Sequence, residues 1–532
     1  MITTLLSSPR VPAFHRRRPS RNDLPEAGAA RVTELFAPCL AAPSPMVFTG
    51  DAFLAIRSTV GTEPAETGGP FGGRRGSGVV EHVHPDATAR RNAVQYYPDQ
   101  RAVNALLRES WNPAGVNLLG FVHSHPRGAV RPSRQDVRYA TEILRAIPEL
   151  DRLLLPIVQS AADSRSFSIG GFAATRHGHQ VRLEDVPVVV VPAGQRPDLT
   201  AFPEFARVHD AYHLPTMAGS RVIAVGCGGS AAFLEDMARA GVGEFVLIDP
   251  DRVALENVGT QQVYRSDLGR GKADAIAARL VDVSPHARVW VVRAWLDDLA
   301  DDAMRRLVSG WLPGSTAPRP TGSLLCGFTD SFAAQARVNR LGLHLGVPVL
   351  GATVYVEGRG VELTFAAPGV TPACIRCAQR SRYAAHLEQG YVNGVTSHGT
   401  PISATARLNA LKLPVALALL HHVSDLPGQG HPGAARHRRL LDVIGDRNLV
   451  LVSLDPDIAT TVGLGLFGSL SGGDLAGRLP VDTTAWLRQQ PDRPDTGFPE
   501  CADCGGTGDL TTSMGRFVDT RPMPLWFGEF RW

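Results

Sequence analysis

Two styles of apolar patterning divide this chain. Over residues 44–191 short apolar runs alternate irregularly with polar stretches. Residues 46–48 read as a strand, 53–60 as a short helix, 78–84 as a strand, 100–110 as a helix and 116–123 as an apolar strand. A helix over 134–147 and strands over 153–158 and 167–172 follow. That mixed order predicts an α+β domain. From Arg221 onward the pattern becomes a regular strand–helix alternation: strands at 221–225, 244–248, 289–292, 324–327 and 347–350, with helices at 231–240, 273–280 and 333–345. Alternation of this kind predicts a parallel, doubly wound sheet over 221–532. Residues 192–220 carry four prolines and read as a linker, with 205–212 as a helix candidate inside it. Residues 312–323 and 425–434 are Pro/Gly-rich loops, and residues 1–43 read as a disordered lead-in. The expected class is α/β multidomain, with no internal repeat.

Composition narrows the function. A chain of 532 residues implies two to four domains, and 44% hydrophobic with 20% charged residues describes soluble globular material. A net charge of +3 argues for neither nucleic acid nor an anionic membrane as partner. No apolar run approaches the roughly 20 residues needed to span a bilayer. The apolar patch before Arg16-Arg17-Arg18 has the reverse of a signal peptide's charge order. Seven cysteines, including two C-x-x-C pairs, fit metal binding in a reducing compartment better than disulfides, so cytoplasm is the expectation.

The densest chemistry lies at His123-Ser124-His125-Pro126, followed by Ser133 and Asp136. Histidines at i and i+2 leave a strand on one side, and an aspartate from the next element completes three ligands. Three protein ligands and an open position are the pattern of a catalytic zinc, which lowers the pKa of bound water to about 7. Such a site needs a base, and Glu66 precedes Thr67-Gly68-Gly69-Pro70-Phe71-Gly72-Gly73. Ser133 is expected to stabilise the developing oxyanion. Ser133-x-x-Asp136 also reads as a capping box for the helix behind it. His82-Val83-His84-Pro85 is a decoy: Asn92 stands where the serine should fall, with no aspartate three residues later. Together these pieces resemble a JAMM/MPN metalloprotease, the fold that cuts ubiquitin-like modifiers from their conjugates.

A second constellation opens at Gly226-Cys227-Gly228-Gly229-Ser230 between a strand and a helix, where backbone N–H groups can approach phosphate. Asp249 closes the next strand at ribose-binding spacing. Asp251, Asn257, Gln261 and Asp267-x-Gly269-x-x-Lys272 follow, then Thr329-Asp330-Ser331 with Arg337 and Asn339 on the next helix. In this order the motifs resemble the nucleotide site of ThiF/MoeB and ubiquitin-activating adenylyltransferases. The resemblance implies glycines 226, 228 and 229 at the phosphates, Asp249 on the ribose, Lys272 on the triphosphate and Asp330 on magnesium, with ATP as cosubstrate. Asp251, Asn257, Gln261 and Arg337 complete the expected nucleotide site. One departure stands out: the family's phosphate-binding arginine is here Thr260, with Arg265 and Arg270 nearby.

Cys374-x-x-Cys377 and Cys501-x-x-Cys504 supply four thiolates, enough for a closed structural zinc that tethers the C-terminal region. Residues 378–400, where ubiquitin-activating enzymes often place an acceptor cysteine, contain none. Cys39, Cys227 and Cys326 remain, the last two read as structural. The resemblances together imply processing and activation of a ubiquitin-like protein in a prokaryotic pathway, with a separate conjugating protein as a further partner. A homodimer through the adenylyltransferase domain is compatible with them. Activation of a sulfur-carrier β-grasp protein, and a scaffold with an inactive adenylation site, are the alternatives.

Overall fold

A computed structural model describes residues 44–521, apart from 63–64, 94, 126–128, 148–149, 161–166, 179, 192–195, 314, 316, 390–399, 427, 429, 459–466, 468–480 and 509–518. The expected lead-in over 1–43 lies outside the described residues.

The N-terminal part is built on a mixed sheet. Its main path runs Phe167–Gly170, Ile157–Ser160, Val116–Ser124, Arg152–Leu154, Phe172–His177 and Gln180–Asp185. The strand Gly68–Arg74 leaves this path, pairing antiparallel with Val116–Ser124 and with His82–Val83. A small parallel sheet of Val188–Val191, Met46–Thr49 and Val79–Val80 packs alongside. Three expectations are refined. The strand expected over 78–84 is two short strands, Val79–Val80 and His82–Val83, with different partners. The strand expected over 153–158 is split into Arg152–Leu154 and Ile157–Ser160 around Pro156, which has no N–H for a ladder. The helix expected over 100–110 is α-helical only over Gln100–Leu106, then widens into a π turn, Leu107–Trp111, that seats Trp111 in the core.

Between the two halves, residues 205–212 do not form the helix expected there. A 3-10 turn over Pro203–Phe205 and a helix over Leu214–Gly219 stand instead, and Phe205 and Leu214 bury together.

The C-terminal half is an eight-stranded sheet in the order Arg288–Val292, Glu244–Ile248, Ser220–Val225, Gly322–Gly327, Val349–Val354, Gly360–Ala366, Leu449–Ser453 and Thr483–Leu487. The first five strands are parallel and the last three join antiparallel. Side chains of Ser220–Val225 alternate between two cores. Val222 and Ala224 share a core with Leu408 and Val415 of the helix Ile402–Val423, while Ile223 and Val225 belong to a second core with Met304 and Leu341. Burial on both faces explains the continuous apolar runs. The 22-residue helix Ile402–Val423 is long and apolar enough to cross a bilayer, which corrects the expectation that no run approaches that length. Its apolar face is buried against the sheet here.

The halves meet through charge. Arg74, at the far end of the glycine-rich strand, pairs with Asp425 at 2.7 Å and donates to the carbonyls of Thr321 (2.9 Å) and Val423 (3.1 Å). Arg305 pairs with Asp151 at 3.4 Å beside a cavity of about 80 Å³ that His344 also lines.

Candidate functional site

His123 is the penultimate residue of the strand Val116–Ser124, and His125 stands one residue beyond it, so the period of two puts both rings on one side. Their Nε2 atoms lie 2.9 Å apart. Asp136, in the first turn of the helix Arg134–Ala146, places Oδ1 3.3 Å from His123 Nε2 and Oδ2 3.4 Å from His125 Nε2. The other nitrogen of His125 lies 3.2 Å from the Ala129 carbonyl, which aims Nε2 at the cluster. Tyr96 stacks on His123 with 5.8 Å between ring centroids. Burial pushes the Asp136 carboxyl up, but hydrogen bonds from both imidazoles win and hold it well below the usual carboxylate range. Three ligand atoms converging from a buried strand end and a helix N-terminus fit a zinc with an open fourth position.

Ser133 forms the expected capping box. Its hydroxyl accepts from the Asp136 N–H at 3.3 Å and its own N–H donates to Asp136 Oδ2 at 2.6 Å, so the capping box pins the ligand carboxylate in place. Glu66 is only 6% exposed and sits just before the strand Gly68–Arg74, in which Gly68 faces His123. Ser124 binds its neighbour Thr67 twice, through Thr67 N–H to Ser124 Oγ (2.9 Å) and Ser124 N–H to the Thr67 carbonyl (2.8 Å). Burial raises the Glu66 pKa, the charges of His125 and His123 lower it and Asp136 raises it; the net direction is up. Its electrostatic partners are therefore the three proposed ligands. His82 and His84 are exposed and stand outside the cluster.

The second constellation gathers at the carboxyl ends of three adjacent strands. The strand Ser220–Val225 has Glu244–Ile248 on one side and Gly322–Gly327 on the other, which is the point where strand order reverses and such sheets bind ligands. Gly226 adopts φ +82°, and a Cβ there would stand 2.8 Å from the Phe328 carbonyl, so only glycine closes this turn. Asp249 accepts from Cys227 N–H (2.8 Å) and Asp251 N–H (2.9 Å), locking the turn to the next strand. Burial raises its pKa, opposed by Lys272. Lys272 Nζ pairs with Asp251 at 2.9 Å. Asn257 accepts from Ala254 N–H at 2.9 Å, and Gln261 lies against Gly228. Gln261 Oε1 is buried without a hydrogen-bond partner among the described residues, an orphan that a ligand's donor would satisfy. Asp330 is exposed beyond Gly322–Gly327, two residues after Phe328, whose carbonyl lies beside Gly226. Thr260, in the expected arginine position, turns its hydroxyl back toward backbone carbonyls at 3.5 Å.

Two residues belong elsewhere. Arg337 is fully buried, and its guanidinium is spent on Asp301 (3.1 Å), the carbonyls of Leu296 and Leu299, and Thr520 Oγ1 (3.2 Å), so it offers no donor to a nucleotide. Asn339 donates to Asp503 at 2.8 Å and accepts from Ile375 N–H at 3.0 Å, supporting the cysteines rather than ATP. Arg337 and Thr520 thereby clamp the chain's later segment, a role invisible to a reading of local motifs. Sequence reading also missed Lys412 and Asn409, which reach under the glycine turn from Ile402–Val423. Their only local signal is polarity inside an apolar helix.

Cys374, Cys377, Cys501 and Cys504 are all buried, with Sγ–Sγ separations of 3.7, 3.8 and 3.6 Å for three of the pairs. Tetrahedral zinc with Zn–S of about 2.3 Å requires edges of roughly 3.8 Å, so the donor set fits. Asp492 N–H points at Cys377 Sγ from 3.3 Å. Cys227 and Cys326 are buried, and burial pushes both thiols far above their ordinary range. Cys39 and most of the 378–400 segment's later part (390–399) lie outside the described residues.

Comparison with known proteins agrees with this geometry. The ThiF family model matches residues 205–470, and the model for prokaryotic homologs of the JAB domain matches residues 53–170. The molybdopterin-synthase adenylyltransferase of Salmonella typhimurium is 30% identical over 164 residues, 30% of this chain and 59% of that protein. The SAMP-activating enzyme E1 of Haloferax volcanii is 29% identical over 161 residues, 30% of this chain and 53% of that protein. The ATP-dependent ubiquitin transferase-like protein Cap2 of Pseudomonas aeruginosa is 26% identical over 217 residues, 40% of this chain and 35% of that protein. The chain thus spans less than two thirds of the length of each of these relatives. With half its length matched by one model and a second model matched ahead of it, the chain belongs to the ThiF family, its ThiF region fused behind a JAB-like domain.

Proposed function

We propose that this protein both activates and trims a ubiquitin-like partner. The ThiF region adenylates the C-terminal carboxylate of a ubiquitin-like or sulfur-carrier β-grasp protein with magnesium and ATP. The JAB-like domain hydrolyses a peptide or isopeptide bond at the same kind of tail. The observation that carries the reading is convergence: residues from distant parts of the chain meet at the end of the histidine strand and at the sheet's switch point.

His123, His125 and Asp136 would hold a zinc, which would supply a Lewis acid and an activated water. Glu66, buried beside them, takes the proton of the attacking water and returns it to the leaving amine. Ser133 is suited to donate toward the developing oxyanion while its N–H keeps Asp136 in place. At the other site the Gly226–Ser230 turn receives phosphate, Asp249 orients the turn and the ribose, Lys272 balances phosphate charge, and Asp330 is the carboxylate for magnesium. Asp251, Asn257 and Gln261 shape the rest of the pocket. The four cysteines hold a structural zinc.

Adenylation then proceeds without a thioester on Cys227 or Cys326, because both thiols are buried and held protonated. ATP–pyrophosphate exchange with a neighbouring small β-grasp protein tests the reading. Exchange that depends on Asp330 and on the partner's C-terminal glycine supports it; exchange indifferent to Asp330→Ala sinks it. Non-reducing mass spectrometry tests the acceptor: a reducible adduct mapped to Cys39, Cys227 or Cys326 contradicts the absence of a thioester on this chain. Activation of a sulfur carrier is the second reading, favoured by the match to a molybdopterin-synthase adenylyltransferase. A partner thiocarboxylate in cells supports it, and a covalent protein conjugate supports modification. The proposed setting is a prokaryotic cytoplasm, with a separate conjugating protein as further partner, a ThiF-region homodimer as one assembly, and neither nucleic acid nor membrane involved.

A further inference from the structure

Lys412 is a lysine in the core with no carboxylate paired to it among the described residues. It is 3% exposed and sits midway along Ile402–Val423. Its ammonium donates to Ser230 Oγ at 2.9 Å and to Asn409 Oδ1 at 2.9 Å, and its nitrogen stands 4.0 Å from the Phe328 ring centroid. Asn409, one turn earlier, donates to the Gly229 carbonyl at 3.0 Å. Gly229 and Ser230 form the glycine turn, while Phe328 follows the strand Gly322–Gly327 and leads to Asp330. One helix face therefore grips both loops that flank the switch point, roughly 180 residues away in sequence from the turn.

We propose that Lys412, held by Asn409, is a positioning residue for nucleotide: it fixes the glycine turn against the Asp330 loop, and a bound triphosphate supplies the counter-charge that the protein withholds. The inference rests on the adenylation reading. A buried ammonium without an acid is costly, and a packing role alone is filled better by an apolar residue of similar volume. Anion binding at the turn above it lowers that cost, so affinity for phosphate and the lysine's charge are coupled. Burial pulls the Lys412 ammonium down to about 7, consistent with a site built to be completed by an anion.

The test uses full-length, zinc-loaded protein and titrates magnesium-ATP and adenosine separately against the parent and Lys412→Met, reading adenosine by displacement. The parent binds magnesium-ATP; the variant binds it about tenfold more weakly, while adenosine, which carries no phosphate, loses less than about twofold. Unchanged ATP affinity overturns the proposal. Equal losses for ATP and adenosine also overturn it, because they mark a merely structural residue. Should Lys412→Met fail to fold, Asn409→Ala decides, with about threefold weaker ATP binding expected and no change overturning the idea. A parent that binds no magnesium-ATP overturns the adenylation reading itself, which separates that failure from this one.

Discussion

The two clusters that fit zinc teach different lessons about what a metal site is for. The four cysteines are all buried, equidistant to within a few tenths of an ångström, and surrounded by donors such as Asp492 N–H and Asn339. No position remains for water or substrate as a further ligand: four sulfurs close a tetrahedron. The His123–His125–Asp136 cluster has three ligands, a carboxylate from a helix end and a buried glutamate within electrostatic reach. Ligand number and setting, rather than metal identity, separate a staple from a reaction centre.

The largest effect expected from breaking the comparison is at the staple. Cys374→Ser with Cys377→Ser should lose one zinc per chain and several kcal/mol of stability, because structural zinc binding is folding free energy. Metal analysis and limited proteolysis around residues 481–508 check this; an unchanged proteolytic pattern contradicts it. Asp136→Asn should also lose one zinc, yet leave the fold near its parent stability, at a cost of about 1 kcal/mol for the weakened helix cap. Thermal melting with zinc counting distinguishes the two. Glu66→Ala should keep both metals and slow cleavage of a ubiquitin-like tail fusion at least about 100-fold. Cleavage at the parent rate would place the base elsewhere.

A third buried group, one that holds no metal, sharpens the contrast further. Lys412 is depressed to about 7 in the fold, against about 10.4 in an unfolded chain. Between those values the unfolded chain binds a proton that the folded chain lacks, so stability from this group rises with pH across the window. Lys412→Met should remove that rise. Denaturant midpoints of parent and variant at pH 7 and pH 9.5, compared as a difference, measure it.

Much of this was legible because function here is written as local strings. The histidine motif, the glycine turn and the paired cysteines each place chemistry within a few residues, and the structure brings each set together. The glycine-rich strand Gly68–Arg74 was not read as a strand, since glycine and proline are depleted in strands. Its glycines answer to backbone on the facing elements: a Cβ at Gly69 would stand 1.9 Å from the His84 carbonyl. Arg337 and Asn339 misled for the opposite reason. They lie at the right spacing after Asp330, but residues some 160 to 180 positions later, Asp503 and Thr520, claim them, and no local pattern reports a partner so distant.

Arg74 sits at one end of that glycine-rich strand, and Glu66 lies just before the other. The arginine is gripped by Thr321, Val423 and Asp425 of the ThiF region, so the strand that begins beside Glu66 is anchored at its far end in the other half of the chain. A gene divided at residues 192–220 would not release two self-sufficient proteins. It would leave Asp425 and Arg319 facing water where Arg74 and Glu81 had been, and would free the far end of the strand that follows Glu66. The practical unit for expression, inhibition or redesign is the whole fusion.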